Sequence, residues 1–474
     1  MTEKPTIAVA GATGFLGSAM AESMSADFDL IGLTRGSRST LPHYAEVRQV
    51  DLMSRKAASE SLIGADYAVY LVHSMMPSAR LVQASFRDLD VLCADNFARA
   101  AAERGVKKIV YVGGLQPTSA QKSEHLESRQ EVEEVLGAHG VPVVVLRAGL
   151  IVGGRGSSFQ ILTRLVRRLP VMICPSWTRT QTQPVALPDV VWAIAESIRL
   201  PMEKSGVYDL GGAEPLSYRE LMQTTSEIMG KKRVMIPVPL VTPGLSRLWV
   251  TLVTGAPKVL VGPLVESLRH EMLARNDEAF RLSGEPGTPI GPMLEAALAE
   301  EREGSQQRPR AFQPAPKKKQ AARVLSVQRM ELPVGADAEW AAAAYVSWLP
   351  RMMGGLMPIH VVNTEPFVHF HFFKKGPVLL RLERLGHVGS RDRQVFMVRD
   401  GLLAKSDTRG RLEFRQVLGG RTLIVAVHDF EPRLPWWVYR PTQAVFHAWI
   451  MSRFARFLAK HGPVTRDSSE PQGS

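Results

Sequence analysis

The sequence predicts an α/β fold in its first part, a doubly wound parallel sheet, and an α+β fold in its last, antiparallel strands followed by a long C-terminal helix. Three observations predict this. The chain opens on an apolar strand, a glycine-rich turn and a helix, "TIAVAGATGFLGSAM". Apolar runs then alternate with helical stretches to about residue 285, the pattern of parallel strands covered on both faces. Beyond about residue 325 short alternating strands follow one another through Gly turns and end in the amphipathic stretch "YRPTQAVFHAWIMSRFARFLAKHG".

In the opening motif each glycine has a task. Gly11 permits the tight turn, Gly14 lets backbone approach a pyrophosphate, and Gly17 lets the helix pack close to the sheet. The helix N-terminus offers N–H groups to the anion. The runs that follow are "DLIGLTR", ending in Arg35, and "AEVRQVDLMS", with Asp51 near its end. "ADYAVYLVHSM", "VKKIVYVGGL" and "VPVVVLRAGLIVG" continue the alternation, with helical stretches such as "FRDLDVLCADNFARAAAERG" between them. Ligands bind at the carboxyl ends of such strands, where Arg35, Asp51, His73 and Gly113 fall. An acidic residue after the second strand would hold the ribose hydroxyls of NAD. A cation suits the 2′-phosphate of NADP instead. Arg35, with Arg38 near it, therefore favours NADP(H) over NAD(H); the alternative is a plain surface arginine.

The whole chain has 474 residues, too many for one ordinary core, and 45% hydrophobic content, that of a globular protein. The two cysteines, Cys93 and Cys174, fit no metal or disulfide spacing, and a reducing, cytoplasmic compartment is expected. The first strand begins so early that no signal peptide is expected. A net charge of +12 suits nucleic acid, an anionic membrane surface, a phosphorylated cofactor, or simply a basic soluble surface.

The pieces "GATGFLG", "YLVHSM", "DNFARAA", "VYVGGL", "HLESR", "LRAGLIVG" and "QPVALPDV" stand in the order seen in atypical extended short-chain dehydrogenase/reductases. From about Thr6 to Leu282 the chain resembles the NmrA-like and complex I accessory-subunit-like NAD(P)-binding proteins of that group. The resemblance implies a Rossmann-like domain over 1–285, including a small substrate subdomain. It places Gly11, Thr13, Gly14, Phe15 and Gly17 at the cofactor phosphates and Arg35 at the adenosine phosphate. Asp51 and Leu52 fall beside the adenine, and His73 and Ser74 near the ribose and nicotinamide. Gly113 and Gly114 stand in the usual catalytic serine region, and Leu150, Ile151 and Val152 where the family closes over the nicotinamide.

One departure matters. Active members carry Tyr-x-x-x-Lys, and here that spacing is filled by His125 and Arg129 in "SEHLESRQEVEEVL". One helical turn keeps the pair on one face. Arg129 can bind ribose hydroxyls, and His125 can donate a proton near neutral pH. The alternative is a His125 that contacts ribose or solvent and takes no part in catalysis.

The segment "VMIPVPLVTPGLSRLWVTLVTGAPKVLVGPLVESLRHEML" is unusually apolar. Pro237, Pro239, Pro243, Pro257 and Pro263, with Arg247 and Lys258, argue against a spanning helix. Two short amphipathic helices fit better, with Trp249, Leu252 and Val253 lining an apolar pocket or a membrane surface, or simply core. An apolar ligand such as a quinone, isoprenoid or acyl compound is expected. A linker over 286–324 holds a short acidic helix and then a Pro/Gln/Lys-rich run with Lys317, Lys318 and Lys319. With almost no aromatic interleaving it reads as no nucleic-acid module.

The last part, 325–465 with a tail at 466–474, is similar to the START-like helix-grip domain fused to some of these reductase-like proteins, folds that hold an apolar ligand or lipid. His369 and His371 share one strand face, but no third ligand is identifiable, so they read as sheet-surface residues and no metal site is expected. Trp436, Trp437, Tyr439 and Arg440 read as a membrane-interface cluster or a cavity rim.

Two functions remain open on these grounds. One is an NADPH-dependent oxidoreductase of a lipophilic carbonyl or quinone, with His125 as proton donor and Arg129 on the ribose. The other is a non-catalytic NADP(H)-binding sensor or scaffold whose second domain binds lipid or a partner. Peripheral membrane contact through the basic linker and aromatic C-terminal helix is a further reading.

Overall fold

The computed structural model describes residues 4–37, 39–73, 81–117, 123–202, 205–238, 251, 253–255, 266–275, 287–307, 323–354, 358–386, 389–405 and 409–462. The chain divides into two compact units, residues 1–76 with 93–315 and residues 77–92 with 316–474.

The first unit is built on a parallel sheet of seven strands: β1 (Thr6–Ala10), β2 (Asp29–Thr34), β3 (Glu46–Gln49), β4 (Tyr67–Tyr70), β5 (Lys108–Gly114), β6 (Val143–Ala148) and β7 (Val207–Leu210). Their order is β7-β6-β5-β4-β1-β2-β3, and each neighbouring pair is parallel. The order reverses beside β1, so a crevice opens at the carboxyl ends of β1 and β4. The strands are nearly continuous apolar runs because both faces are covered. On one face Ile7, Val9, Val69, Val110 and Val144 pack against Met20 and Met24 of the helix Phe15–Met24 and Val190 and Ile194 of the helix Leu187–Arg199. On the other, the ring of Tyr70 meets Phe97 at 5.0 Å and Tyr111 at 6.1 Å. Buried Lys108 fixes the start of β5: its Nζ donates to the carbonyls of Ser197 at 2.9 Å and Ile198 at 3.3 Å, at the C-terminal end of the helix Leu187–Arg199.

A second core lies in the same unit. Phe159, Leu162, Leu165 and Val166 of the helix Ser157–Arg168 pack with Met172, Cys174, Leu221 and Met222. The helix Ile290–Gln307, at the start of the expected linker, joins them through Met293, Leu294, Ala297 and Leu298. Polar ties hold it there. Glu301 bonds Arg167 and Thr163, and Glu300 accepts from the Gly154 N–H at 2.6 Å. The amphipathic helices expected further back fall mostly outside the described residues, as do Arg38, Ser74, Trp249, Leu252 and Lys317–Lys319. Val253 is described and packs against this second core.

The second unit has an eight-stranded sheet. Seven strands run antiparallel, in the order Ile359–Thr364, Phe367–Phe372, Val378–Arg384, Arg393–Asp400, Arg411–Val417, Thr422–Phe430, Val324–Glu331. The eighth, Leu81–Gln83, adds in parallel to Val324–Ser326. Helices Ala338–Met353 and Gln443–Leu458 contribute Tyr345, Trp348, Ile450, Met451 and Phe454 to the core, where Tyr345 and Phe454 meet edge-on at 5.1 Å. His369 and His371 are half-buried with rings 6.1 Å apart, and His371 Nδ1 lies 3.1 Å from the Gly376 carbonyl. Among the described residues no helix is long and apolar enough to cross a membrane.

Candidate functional site

The turn after β1 is closed by a hydrogen bond from the Gly14 N–H to the Gly11 carbonyl at 2.9 Å. Two of its glycines are demanded by geometry. Gly11 has φ +96°, a left-handed conformation. A Cβ on Gly17 would lie 2.5 Å from the Gly11 oxygen and 2.9 Å from the Ala12 Cα, so no side chain fits. The helix Phe15–Met24 starts from Gly14 with no side chain capping it. Its first N–H groups therefore face the crevice without a competing side-chain acceptor, an anion-binding arrangement. Thr13 is exposed at the turn's tip, and Tyr44 Oη donates to the Gly17 carbonyl at 2.8 Å, clamping the helix start from the far side.

The other expected cofactor residues lie along the same sheet edge. Arg35 is exposed directly after β2, and its guanidinium makes no hydrogen bond or ion pair among the described residues. Asp51 lies two residues past β3, where its carboxylate accepts from the Met53 N–H at 3.1 Å. Leu52 is buried, and its carbonyl accepts from Asn96 Nδ2 at 2.7 Å. His73 lies three residues past β4, and its ring is 5.1 Å from that of His125. Gly113 lies next to last in β5. A Cβ there would come 3.0 Å from Glu133 Oε1 and 3.1 Å from the Tyr111 ring. Glu133 is itself held by Arg147 through a contact of 2.6 Å.

His125 and Arg129 sit in the helix Glu124–Leu136, which is capped by Ser123 accepting from the Leu126 N–H. Both are half-buried, and both line a cavity of about 440 Å³. Arg129 makes no hydrogen bond or ion pair among the described residues.

The cavity has two halves. At the sheet edge it is walled by Phe15, Gly113, Gly114, His125, Arg129, Ala148, Leu150 and Ile151. Val152, expected beside them, is instead buried in the second core. Farther on it is walled by Ile161, Leu162, Leu165, Trp177, Leu221, Met222, Leu268 and Met272. Among the described residues no Asp, Glu or Lys lines either half, while Ser157, Ser158, Thr182 and Ser267 add hydroxyls. Tyr218 also faces it, its ring edge-on to Trp177 at 6.3 Å. Burial pushes its phenol up to about 12, against a smaller opposing effect from Thr182, so the group stands as a neutral donor. Sequence reasoning missed Tyr218 and the apolar wall. The one available signal was the Trp177–Tyr218 aromatic pair, and nothing in sequence spacing joins residues so far apart.

Of the expected residues, the structure therefore brings Phe15, Gly113, Gly114, His125, Arg129, Leu150 and Ile151 to the cavity. Gly11, Thr13, Gly14, Gly17, Arg35, Asp51, Leu52 and His73 lie at the strand ends outside its lining.

Residues 11–165 match the family model described as NAD(P)H-binding. Auxiliary protein GraX of Staphylococcus aureus (strain NCTC 8325 / PS 47) is 32% identical over 142 residues, which are 30% of this chain and 43% of that protein. The match thus spans less than half of the relative's length. Among solved structures, a nucleoside-diphosphate-sugar epimerase from Staphylococcus aureus superposes with a TM-score of 0.50 at 17% identity, covering 61% of this chain and 99% of that one. That likeness concerns the fold. The glycine turn, the parallel sheet and the family match agree: the first unit has a Rossmann-type fold, and its residues 11–165 are similar to NAD(P)H-binding proteins.

Proposed function

We propose that the protein is an NADPH-dependent oxidoreductase of a lipophilic carbonyl or quinone-like compound. The observation that carries this reading is the continuity of the cavity. One space of about 440 Å³ joins His125 and Arg129 at the sheet edge to a wall of aliphatic and aromatic side chains. A diphosphate sugar needs cations and hydrogen-bond donors along its path. Among the described residues the far half of this cavity presents hydroxyls, such as Thr182 and Tyr218, but no lysine, arginine or carboxylate to meet a diphosphate.

Bound NADPH would supply a hydride. The Gly11–Gly17 turn would hold its phosphates on backbone N–H groups, and Arg35 would meet the 2′-phosphate as a charge-assisted donor. Arg129 would donate to the ribose hydroxyls. His125 would give a proton to the substrate oxygen as the adjacent carbon becomes reduced, and recover it from solvent. Gly114 leaves room beside β5: a Cβ there would meet only Leu126 of the cavity wall, at 3.9 Å. For the second unit we keep the START-like, lipid-binding reading. A cleft of about 530 Å³ between the helix Ala338–Met353 and the strands after it mixes apolar Val346, Val361 and Phe396 with charged Glu339, Glu365 and Arg384, so only part of it suits an apolar ligand.

The test is single-turnover absorbance. The full chain is loaded with NADPH, a panel of lipophilic quinones and enones is added, and the nicotinamide band is followed. Oxidation is expected in the wild type. His125→Ala should slow it at least about a hundredfold, the usual worth of a general acid, with NADPH binding intact. Unchanged turnover in the variant would remove His125 from the chemistry. Tight binding with no oxidation across the panel would favour the second reading, a sensor or scaffold. That reading draws its support from the missing tyrosine and from two glycines in place of the hydroxyl residue.

A further inference from the structure

The strands Val171–Pro175 and Val234–Val238 form a two-stranded parallel ribbon, with Val234 opposite Val171 and Ile236 opposite Ile173. Alternate side chains point to opposite faces. On the inner face Met172 and Cys174 are buried with Leu165, Leu221 and Met222. Those last three also line the cavity, so one layer of side chains separates ribbon and cavity. The outer face is different. Val171, Ile173, Val234 and Ile236 are 46%, 53%, 59% and 46% exposed. Four β-branched apolar side chains on one open face call for a covering surface.

The charges around them say which. Arg167 and Arg168 precede the first strand and Arg179 follows it, while Lys231 and Lys232 precede the second. Arg167 is paired with Glu301, and Arg168 donates to the Val253 carbonyl. The side chains of Arg179, Lys231 and Lys232 make no hydrogen bond or ion pair among the described residues. No Asp or Glu occurs in residues 135–188 or 228–265, the stretches that carry both strands. A second copy of the chain fits poorly, because it would bring the same cations together. The area argues likewise. Two five-residue strands present a face on the order of 200 Å², whereas a stable dimer buries roughly 800 Å² per partner. Apolar side chains rimmed by unpaired cations suit a lipid surface of negative charge.

We propose that the outer face of this ribbon seats the protein on an anionic bilayer. That the bilayer also delivers the lipophilic substrate to the cavity behind the ribbon rests on the function proposed above.

Flotation of the full chain with vesicles tests the seat. Wild type is expected to float with vesicles of phosphatidylcholine and phosphatidylglycerol at low salt, and to stay down with phosphatidylcholine alone. Ile173→Ser with Ile236→Ser, and separately Lys231→Glu with Lys232→Glu, should each reduce the floated share at least about tenfold. Both pairs are exposed and lie outside the cavity lining, so turnover of a short-chain, water-soluble quinone should not change. Turnover of a long-chain quinone embedded in the vesicles should fall with flotation. Wild type that stays at the bottom, or variants that float like wild type, would overturn the proposal. So would a wild-type dimer that the serine variant dissolves, since the face would then be an interface between copies. If flotation depends on the ribbon but no quinone is reduced, the seat stands and the enzymatic reading fails. Turnover without flotation would keep the enzymatic reading and remove the seat.

Discussion

Arg35 stands exposed directly after β2, where the sheet edge would present an acid to a ribose. Its guanidinium is committed to nothing among the described residues, so no ion pair has to break before it meets an anion. A charge-assisted hydrogen bond to a 2′-phosphate contributes roughly 1.5–3 kcal/mol. Arg35→Asp should therefore weaken NADPH by at least about tenfold, more once repulsion is added, while NADH is little affected. Fluorescence titration of the two reduced cofactors decides this, and equal losses would mean that Arg35 reads no phosphate. Gly17 carries a second prediction. A methyl group there would collide with the Gly11 oxygen at 2.5 Å and the Ala12 Cα at 2.9 Å, and both atoms belong to backbone that cannot rotate aside. Gly17→Ala should cost about 1–3 kcal/mol of stability through overpacking. It should also weaken both cofactors alike, because the displaced turn is common to both. A variant that binds both cofactors like wild type would show that the turn is not the phosphate site.

At the scale of elements, the cavity is set by two helices that approach from different places in the chain. The helix Glu124–Leu136 brings His125 and Arg129, and the helix Ser157–Arg168 brings Ile161, Leu162 and Leu165. Ile161 is half-buried and lines the apolar half, so its size sets the room there. Ile161→Trp should cut the affinity of long-chain substrates at least about tenfold, the worth of losing one good apolar contact surface. Cofactor binding and thermal stability should stay near wild type. Substrate affinity unaffected by the tryptophan would place the substrate elsewhere. Much of this was legible beforehand. The glycine turn and the strands β1, β2, β4, β5 and β6 announce themselves through local sequence, because a doubly covered parallel strand is an uninterrupted apolar run. The His125–Arg129 pair stood out only because it fills the place of Tyr-x-x-x-Lys in the family the chain resembles, and spacing by itself would not have marked it. The strand Leu81–Gln83 was not legible, being too short to show a period and pairing with residues 324–326 far along the chain. Nor was the ribbon, whose second strand, Val234–Val238, reads as part of one long apolar segment. Only its pairing with Val171–Pro175 shows that alternate residues face outward. Tyr218 was missed for the same reason, since its neighbours in space are not its neighbours in sequence.

At the scale of the whole molecule, acidification acts through two effects that can be separated. The chain carries a formal charge of +12 near neutrality, and protonating carboxylates and histidines adds to its self-repulsion. That effect is screened by salt. Buried groups respond differently. Desolvation pushes the partly exposed ring of His447 down to about 4, and burial with the nearby Arg411 also lowers the buried His428. Each ring is therefore neutral in the folded state at a pH where the unfolded chain, near 6.5, would already bind a proton. The unfolded state takes up more protons in that window, so stability is full above about 6.5 and falls as the pH drops towards about 4. Glu413 adds a later step. Burial alone would raise its carboxyl, but Arg415 at 2.8 Å, His428 at 3.4 Å and Arg393 at 2.6 Å together hold it well below the usual range. A depressed carboxyl stabilises the fold above its unfolded value of about 4.5, and that contribution is lost below it. The melting temperature, followed by tryptophan fluorescence, should hold steady above about pH 6.5, decline towards pH 4, and fall faster beneath it. Added salt should recover the part due to surface repulsion and leave the histidine part. His447→Gln, which cannot ionise, should flatten the decline between about pH 6.5 and 4 while the steeper fall below remains. If the variant declines as steeply as wild type in high salt, His447 is solvated in the folded chain, and the loss in that window belongs to His428 and the surface charge.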